Sequence, residues 1–410
     1  MAKNIFNAWK IISNVVKETP LSICERLSSK YNCKVYLKRE DLQITRSFKI
    51  RGSFYKINNL DDGEKQKGIV CASAGNHAQG VAYSCHALNI RCNIFLPEKT
   101  SLQKINRINF FGKDNIKIHL YGKTFDDCLH KSLEYQNDNN STFIHPFDDK
   151  DIITGQGTIG VEIVNQIKPD IIISPIGGGG LISGISNYIS ETIPDCLLYG
   201  TEPSSAASMT QALKQNGPIK LDTISNFIEG ASVSKVGELP FNMVKNNLAK
   251  IYSIGEGEIC HELLNLYQED GIITEPAGAL SVCGLSKIDS NIIKDKNVVC
   301  IISGGNNDIT RYPEIIEKNL IYLGLRHYFI IKFKQKPGEL KYLVNDILGK
   351  DDDIIRFEYI KKTDKDYGNV LMGVQISNKE NIHILLEKLN NSDFNFKKIS
   401  ESDLIYSYLV

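Results

Sequence analysis

Short runs of apolar, mostly β-branched residues recur along the first 300 positions and are separated by stretches of helix length. The predicted strands are Val35–Lys38, Ile69–Ala72, Cys92–Leu96, Ile116–Leu120, Ile171–Pro175, Leu197–Gly200 and Val298–Ile302. The predicted helices include Ala78–Leu88, Ser101–Phe111, Phe125–Tyr135 and Gln156–Gln166. Continuously apolar strands that alternate with helices predict a parallel sheet covered on both faces. We therefore expect an α/β domain over residues 1–320, with two lobes that share one cleft.

The pattern changes near residue 320. The predicted elements beyond it are a strand at His327–Phe333, a helix at Glu339–Leu348, strands at Ile354–Ile360 and Asn369–Ile376 on either side of a polar turn at Lys362–Gly368, a helix at Glu380–Leu389 and a last strand at Asp403–Val410. This βαββαβ order is the split, ferredoxin-like arrangement. We expect a separate small domain over residues 325–410.

Composition and charge narrow the class of protein. The 410 residues carry 48 Lys+Arg and 48 Asp+Glu, so the zero net charge gives no electrostatic footprint for nucleic acid or an anionic membrane. No apolar run approaches the roughly 20 residues of a membrane span, and Met1–Lys17 lacks the apolar core of a signal peptide. The ten cysteines are scattered without a C-x-x-C pair, which favours reduced thiols in a cytoplasmic protein over disulfides or a metal site.

A run of four glycines, Gly177–Gly180, follows the predicted strand Ile171–Pro175 and precedes an apolar helix that starts at Leu181. Glycines at the start of a helix can turn their N–H groups toward an anion, so the run favours a phosphate-binding loop over a merely flexible connection. The segment has neither the Lys-Ser/Thr of a Walker A loop nor the G-x-G-x-x-G of a dinucleotide turn. A compact phosphate therefore fits it better than a pyrophosphate.

Lys49 stands between Phe48 and Ile50 at the predicted start of a helix. Most lysines are solvated surface groups. Partial burial and the positive end of a helix would lower the pKa of this ammonium, and such a lysine can form a Schiff base with an aldehyde.

Two further polar segments follow predicted strands. The segment Ser73–Gly80 places Asn76 at a helix start, where it suits recognition of a carboxylate or a ring hydroxyl, although a helix cap explains it equally well. The segment Ser303–Asn307 follows Val298–Ile302, and Ser303 could pair with a heteroaromatic nitrogen or cap a helix.

Taken together, five segments in order resemble those of the fold-type II enzymes that use pyridoxal 5′-phosphate, which have the tryptophan synthase β-like fold. The segments are SFKIRG, SAGNHAQG, PIGGGGL, TEPAGA and SGGNN. Within that group the chain is most similar to the biosynthetic threonine dehydratases (threonine ammonia-lyases). The tail, with LRHYFIIKFKQKPGELK, resembles the single ACT-like domain of the shorter form of that enzyme. The resemblance covers essentially the whole chain.

The resemblance implies a role for each matching residue. Lys49 would hold the cofactor covalently, Phe48 would lie against its ring, Asn76 would bond the ring hydroxyl, and Ser303 would face the ring nitrogen. The phosphate would be held by Gly177, Gly178, Gly179, Gly180 and Leu181. The substrate carboxylate would be held by Ser73, Ala74, Gly75 and Asn76, and Glu275 would line the cofactor rim.

The implied reaction is the conversion of L-threonine to 2-oxobutanoate and ammonia, the committed step of isoleucine biosynthesis, with L-serine as a second substrate. A regulatory tail implies isoleucine, and valine as a second candidate, as effectors, and the family implies a homo-oligomer, either a dimer or a tetramer. The alternatives are a sister lyase that acts mainly on L-serine or on a phosphorylated threonine precursor, and a catalytically silent amino-acid sensor. Ala74 has no ionisable atom, which disfavours racemisation. Ser208 stands where relatives that bind a divalent metal have a second carboxylate, so we expect no divalent metal, and a monovalent cation remains an open alternative.

Overall fold

The computed structural model describes residues 1–359, 366–400 and 403–409. The chain divides into two compact units, Met1–Asp308 and Ile309–Val410. The sequence pattern predicts the domain boundary at residues 320–325, one helix later. The helix in question, Tyr312–Tyr322, falls in the second unit because it contacts the strand that follows it.

The first unit contains fourteen α-helices and ten strands among the described residues. The helices are α1 (Ala2–Ile12), α2 (Glu25–Tyr31), α3 (Lys49–Asn58), α4 (Asp62–Lys67), α5 (Asn76–Ala87), α6 (Leu102–Gly112), α7 (Phe125–Asn139), α8 (Lys150–Gln166), α9 (Gly180–Thr192), α10 (Ser208–Gln215), α11 (Glu238–Val244), α12 (Glu256–Gln268), α13 (Pro276–Cys283) and α14 (Ser290–Ile293). The strands are β1 (Leu21–Ile23), β2 (Lys34–Arg39), β3 (Ile69–Ala72), β4 (Cys92–Leu96), β5 (Ile116–Leu120), β6 (Thr142–Phe143), β7 (Ile171–Pro175), β8 (Leu197–Pro203), β9 (Lys250–Ile254) and β10 (Asn297–Ile302).

The larger sheet of this unit has the order β1-β2-β10-β7-β8-β9 and is parallel except for the edge pair β1–β2. Alternate residues of its central strands point to opposite faces. Ile172 and Val299 pack in a core with α1, α8 and α9, while α13 contacts the same strands, β7 and β10. Both faces are therefore buried, as parallel strands require.

The smaller sheet has the order β5-β4-β3-β6 and is parallel throughout. Ile69 and Cys71 of β3 pack in one core with α5 and α6, whereas Val70 and Ala72 pack in another with α7. The predicted two-lobed α/β fold is confirmed by these two sheets. The predicted strands Ile69–Ala72, Cys92–Leu96, Ile116–Leu120 and Ile171–Pro175 have the predicted bounds.

The second unit contains the helices α15 (Tyr312–Tyr322), α16 (Glu339–Tyr342) and α17 (Asn381–Asn390), and the strands β11 (Arg326–Lys334), β12 (Asp353–Tyr359), β13 (Tyr367–Gln375) and β14 (Asn395–Lys398). A π-helical turn, Leu343–Ile347, continues α16. The sheet order is β12-β13-β11-β14 with every pair antiparallel, which is the ferredoxin-like arrangement. Phe329, Leu343, Met372 and Leu385 belong to its core.

One element of this unit was predicted wrongly. The last strand is Asn395–Lys398, and the described part of Asp403–Val410 contains a 3₁₀-helix at Leu404–Tyr408 instead. The true strand pairs with β11 at the edge of the sheet, where polar side chains remain in water, so it lacks the apolar signal used for prediction. Three parts of the predicted elements lie outside the described residues: Ile360, positions 362–365 of the predicted polar turn, and Val410.

Among the described residues, no helix combines the length and the hydropathy needed to cross a bilayer.

Candidate active site

The start of α3 is joined to the carboxyl end of β10. The Phe48 N–H donates to the Ser303 carbonyl at 3.1 Å, and Ser47 forms an isolated bridge with Gly304. Because Lys49 is the first residue of α3, this connection sets its side chain beside the end of the larger sheet. Carboxyl ends of parallel strands are where α/β folds place ligands.

The Lys49 amine lies in a mainly neutral environment. Its Nζ donates to the Pro146 carbonyl at 2.9 Å and lies 5.3 Å from the centre of the Phe48 ring. Burial lowers the pKa of Lys49 to about 8, while the carboxylate of Glu275 acts in the opposite direction. An appreciable share of this amine is therefore uncharged near neutral pH, as a nucleophile or a base requires.

The glycine run packs so closely that side chains do not fit. A Cβ atom on Gly178 would lie 2.2 Å from the Phe147 ring, and one on Gly177 would lie 2.9 Å from the Gly230 carbonyl oxygen. Gly179 has φ +92°, a left-handed conformation that favours glycine, and a Cβ there would meet Pro240 at 2.7 Å. The identity of these three glycines thus follows from the lack of space or from backbone conformation.

The N–H groups of this run are available to a ligand. Among the backbone hydrogen bonds of turns, loops and helix caps in the described residues, none has the N–H group of Gly177, Gly178 or Gly179 as its donor. The run leads directly into α9, which begins at Gly180 and whose first N–H groups have no acceptor inside the helix. Free N–H groups and the positive end of a thirteen-residue helix together suit a phosphate dianion.

Lys49 and the glycine run line the same cavity. Of the predicted site residues, the lining contains Phe48, Lys49, Gly177, Gly178, Gly179, Gly180, Leu181 and Ser303. Sequence reasoning missed Pro146, Phe147, Gln156, Pro175, Gly230, Ala231 and Ala277, which also line it.

Asn76 and Glu275 lie beside this cavity in a hydrogen-bonded group of their own. The Asn76 amide nitrogen donates to both oxygens of Glu275, at 2.7 and 3.0 Å, and its Oδ1 accepts from Asn306 at 2.7 Å. Glu275 is within 3.5 Å of where a Cβ on Gly230 would lie. Burial raises the pKa of Glu275 to about 7, against the effect of the Asn76 hydrogen bond. The Asn76 oxygen can still accept a second hydrogen bond from a ligand.

The predicted substrate loop, Ser73 to Asn76, connects β3 to the start of α5 and is partly exposed. The Gly75 N–H donates to the Ser73 hydroxyl at 3.2 Å, and a Cβ on Gly75 would meet nothing within 4 Å. Ala74 packs against the core of the smaller lobe. The loop therefore offers open space next to the N-terminus of a twelve-residue helix.

Two histidines near Lys49 are held neutral. His77 Nε2 lies 2.8 Å from the Ile144 carbonyl, and burial, together with the charge of Lys49, lowers the pKa of His77 to about 3. His145 Nδ1 accepts the N–H groups of Phe147 and Asp148, and burial lowers the pKa of His145 as well. These bonds fix the loop that carries Pro146 and Phe147 into the cavity. Because both histidines are neutral, Lys49 is the main cation in and around the cavity.

Glu202 and Ser208 belong to the segment in which metal-binding relatives have their acidic pair. In this protein the Glu202 carboxylate accepts hydrogen bonds from the backbone. The two carboxylate oxygens of Glu202 accept the N–H groups of Met209 and Thr210, each at 3.0 Å. Within the described ranges, no group of three or more His, Cys, Asp or Glu is arranged for a metal ion.

Two family models match the chain. Residues 12–304 match the model described as "Pyridoxal-phosphate dependent enzyme", and residues 317–409 match "C-terminal regulatory domain of Threonine dehydratase". The first match contains every residue that lines the cavity. The second lies within the ferredoxin-like unit.

Full-length relatives are similar over the whole chain. The L-threonine dehydratase biosynthetic IlvA of Halalkalibacterium halodurans is 47% identical over 410 residues, which cover 100% of this chain and 99% of the relative. The protein of the same name from Staphylococcus aureus is 45% identical over 414 residues, covering 100% and 98% of the two chains.

Solved structures share the fold. A threonine deaminase isoform 2 from Solanum lycopersicum superposes with a TM-score of 0.72 at 35% identity, covering 77% of this chain and 93% of that one. A maize serine racemase has the same TM-score at 27% identity, covering 78% and 98%.

Proposed function

Because the chain belongs to the pyridoxal-phosphate dependent enzymes, and among them to the biosynthetic L-threonine dehydratases, we infer that it converts L-threonine to 2-oxobutanoate and ammonia. That reaction is the committed step of isoleucine biosynthesis. The observation that carries this inference is the cavity in which the Lys49 amine faces the glycine run at the start of α9. All ten cysteines are buried, which supports the expected cytoplasmic location, where thiols stay reduced.

The residues of the cavity fit pyridoxal 5′-phosphate. The N–H groups of Gly177 to Leu181 would hold the phosphate, and the space that the missing Cβ atoms leave is too small for side chains. Lys49 would hold the aldehyde carbon, with Phe48 against the ring and Ser303 opposite the ring nitrogen. Asn76, kept in orientation by Glu275 and Asn306, would meet the ring hydroxyl.

When bound, the cofactor supplies an aldehyde that condenses with amines and a conjugated ring that accepts electron density from the substrate Cα. The protein supplies the proton transfers. The Lys49 side chain is an amine with a lowered pKa, so it would be suited to take the proton from the threonine Cα. The Pro146 carbonyl, which accepts from its Nζ, keeps the amine aimed into the cavity.

The remaining residues direct the outcome of that proton removal. Ser303 is a neutral, buried hydroxyl, and opposite the ring nitrogen it would stabilise a positive charge less well than a carboxylate. Prompt loss of the threonine β-hydroxyl as water would then be favoured. The resulting enamine tautomerises to an imine, one water hydrolyses the imine, and the net reaction is L-threonine to 2-oxobutanoate plus ammonia.

The substrate carboxylate would bind at the loop from Ser73 to Asn76, where the start of α5 provides N–H groups. A direct assay tests the substrate. The holoenzyme should form 2-oxobutanoate from L-threonine, and pyruvate from L-serine with a lower kcat/KM. Absence of 2-oxoacid from both amino acids would refute the proposed function, and a clear preference for serine would favour the sister lyase.

For the second unit we propose that isoleucine binds and lowers activity, with valine as a competing effector. The observation in support is the ferredoxin-like sheet with the turn Lys336–Gly338, where Gly338 has φ +98° at the start of the α16 turn. Calorimetry on the full-length protein with isoleucine, valine and leucine tests the ligand. Typical allosteric couplings would shift the apparent affinity for threonine about 5- to 150-fold. Heat signals equal for all three amino acids would contradict a specific sensor.

We also propose a homo-oligomer, a dimer or a tetramer. Large apolar side chains are exposed on the smaller lobe, with Leu102 at 75% and Phe110 at 65%, and such surface favours association. Sedimentation of the full-length protein measures the state. A monomer at micromolar concentration would contradict this proposal.

A further inference from the structure

Four charged side chains are buried together beneath the start of α3. Lys38, Glu40, Arg51 and Glu162 are each 2% exposed or less, and we call them the Arg51 cluster. Two positive and two negative groups balance one another. Charged residues are almost never fully buried unless they are paired, so the contacts within this cluster require an explanation.

The guanidinium of Arg51 donates to two carboxylates and one hydroxyl, and its Nη2 also donates to the Lys17 carbonyl at 3.4 Å. Its Nε and Nη2 donate to the two oxygens of Glu40, each at 2.8 Å. Its Nη1 donates to Glu162 at 2.6 Å and to the Thr158 hydroxyl at 3.2 Å, and Nη2 also donates to Glu162 at 2.9 Å. A planar group held on three sides cannot turn without breaking several charged hydrogen bonds.

The partners belong to different elements of the larger lobe. Glu40 follows β2 directly, whereas Thr158 and Glu162 lie on α8. Glu162 also pairs with Lys38 at 2.6 Å, and Lys38 in turn donates to the Thr19 carbonyl at 2.7 Å. The cluster therefore ties α3 to β2, α8 and the segment before β1.

Arg51 is two residues from Lys49 in the first turn of α3. At 3.6 residues per turn, two positions are about 200° apart around the helix axis, so the two side chains leave on nearly opposite faces. Lys49 points into the cavity and Arg51 points into the cluster. A rotation of this turn about its axis would move both side chains together.

We propose that Arg51 is a positioning residue for Lys49, because its fixed guanidinium sets the rotation of the first turn of α3. The reason for a guanidinium here is geometry rather than stability. Buried ion pairs often contribute little net stability compared with apolar residues, yet they fix one arrangement through their directed hydrogen bonds. A lysine at position 51 would keep the charge but lose the planar fork. The inference rests on the proposed role of Lys49.

The test compares two arginine-to-lysine variants of the full-length enzyme. Arg26 is the matched control, since it also holds two carboxylates, Glu262 at 2.6 Å and Asp270 at 2.6 and 2.9 Å, between α2 and the end of α12. We expect Arg51→Lys to lower kcat for L-threonine about 10- to 100-fold, the size of effect that a misplacement of about 1 Å can have. KM should stay within about threefold of the wild-type value. Arg26→Lys should lose thermal stability but keep kcat.

Two further readouts do not depend on turnover. In the cofactor-free protein, hydrogen exchange in the first turn of α3 should be faster in Arg51→Lys than in the wild type and in Arg26→Lys. Added pyridoxal 5′-phosphate should also give the visible absorbance of the lysine-bound form more slowly in Arg51→Lys than in the wild type and in Arg26→Lys. Unchanged kcat and unchanged capture in a folded Arg51→Lys protein would overturn the proposal, as would equal losses in both variants.

If Arg51→Lys does not fold, Thr158→Val decides the question. It removes one acceptor of the guanidinium and keeps the shape of the side chain. We expect a smaller fall in kcat, about two- to fivefold, with KM unchanged, and an unchanged kcat would overturn the proposal. The lysine role itself is tested separately with Lys49→Met. If that variant still captures the cofactor covalently, the assignment of Lys49 fails whatever the result at Arg51.

Discussion

Asn76 donates its side-chain amide to both carboxylate oxygens of Glu275, and this contact joins the start of α5 to the residue that precedes α13. The same carboxylate raises the pKa of Lys49, against the larger lowering by burial. One acidic side chain thus orients the amide proposed for the cofactor hydroxyl and tunes the amine proposed for the cofactor aldehyde.

The first prediction concerns pH. Because the pKa of Lys49 is about 8, covalent capture of pyridoxal 5′-phosphate by the cofactor-free protein should accelerate from pH 7 to pH 9. Glu275→Gln removes a charge that raises this pKa, so the midpoint of the profile should move to lower pH, by on the order of one unit. Stopped-flow absorbance measures the profile. Glu238→Gln, at a surface ion pair with Lys235, is the control and should leave the midpoint in place. A shift to higher pH in Glu275→Gln would contradict the assignment.

The second prediction concerns the glycine run. Gly178→Ala places a Cβ 2.2 Å from the Phe147 ring, so the loop or the ring must move. We expect the affinity for pyridoxal 5′-phosphate to weaken by about 1–3 kcal/mol, the usual cost of overpacking. Gly255→Ala is the control, since its Cβ meets nothing within 4 Å and its φ of −70° suits alanine. Equal cofactor affinity in the two variants, measured by equilibrium titration, would argue against a tightly packed phosphate loop.

The third prediction concerns the lysine. Lys49→Met should abolish both turnover and the visible absorbance of the lysine-bound cofactor, because methionine has similar volume and no amine. Lys56→Met, on the same helix but paired with Asp149 and Asp151, should retain both properties. Absorbance spectra before and after dialysis distinguish the two variants. An unchanged spectrum in Lys49→Met would reject the assignment.

The fourth prediction concerns the ring nitrogen. Ser303→Ala should reduce kcat and leave the cofactor bound, whereas Ser303→Asp should increase side reactions such as transamination. An aspartate there would favour the protonated nitrogen and prolong the delocalised charge. Product analysis gives the ratio of 2-oxobutanoate to side products. If neither variant alters rate, products or spectrum, Ser303 does not interact with the ring nitrogen.

The sequence predicts most of the fold because burial leaves a visible pattern. Strands such as Ile69–Ala72 and Ile171–Pro175 are buried on both faces and therefore read as unbroken apolar runs. The strands that were missed lack such a run: Leu21–Ile23 and Thr142–Phe143 have three and two residues, and Lys250–Ile254 is a partly exposed edge strand. Asn395–Lys398 was missed for the same reason.

The site was predictable only where it lies on short segments of the sequence. Lys49, the glycine run and Ser303 belong to segments with recognisable residue types at strand ends or helix starts. Phe147 lines the cavity because hydrogen bonds to His145 determine the conformation of its loop. No pattern of residues in this part of the sequence predicts that conformation. Arg51 could not be distinguished from a surface arginine, because its partners are 11 and 111 residues away along the chain.

The burial of all ten cysteines makes the protein convenient for site-specific labelling. Thiol reagents attack the thiolate, and burial raises the pKa of several of these cysteines, Cys92, Cys283 and Cys300 among them. A cysteine introduced at an exposed helical position such as Lys10 or Glu387 would therefore react first with a maleimide dye, without removal of the native thiols. A doubly labelled Lys10→Cys, Glu387→Cys protein would report the distance between the catalytic and regulatory units by energy transfer, with and without isoleucine.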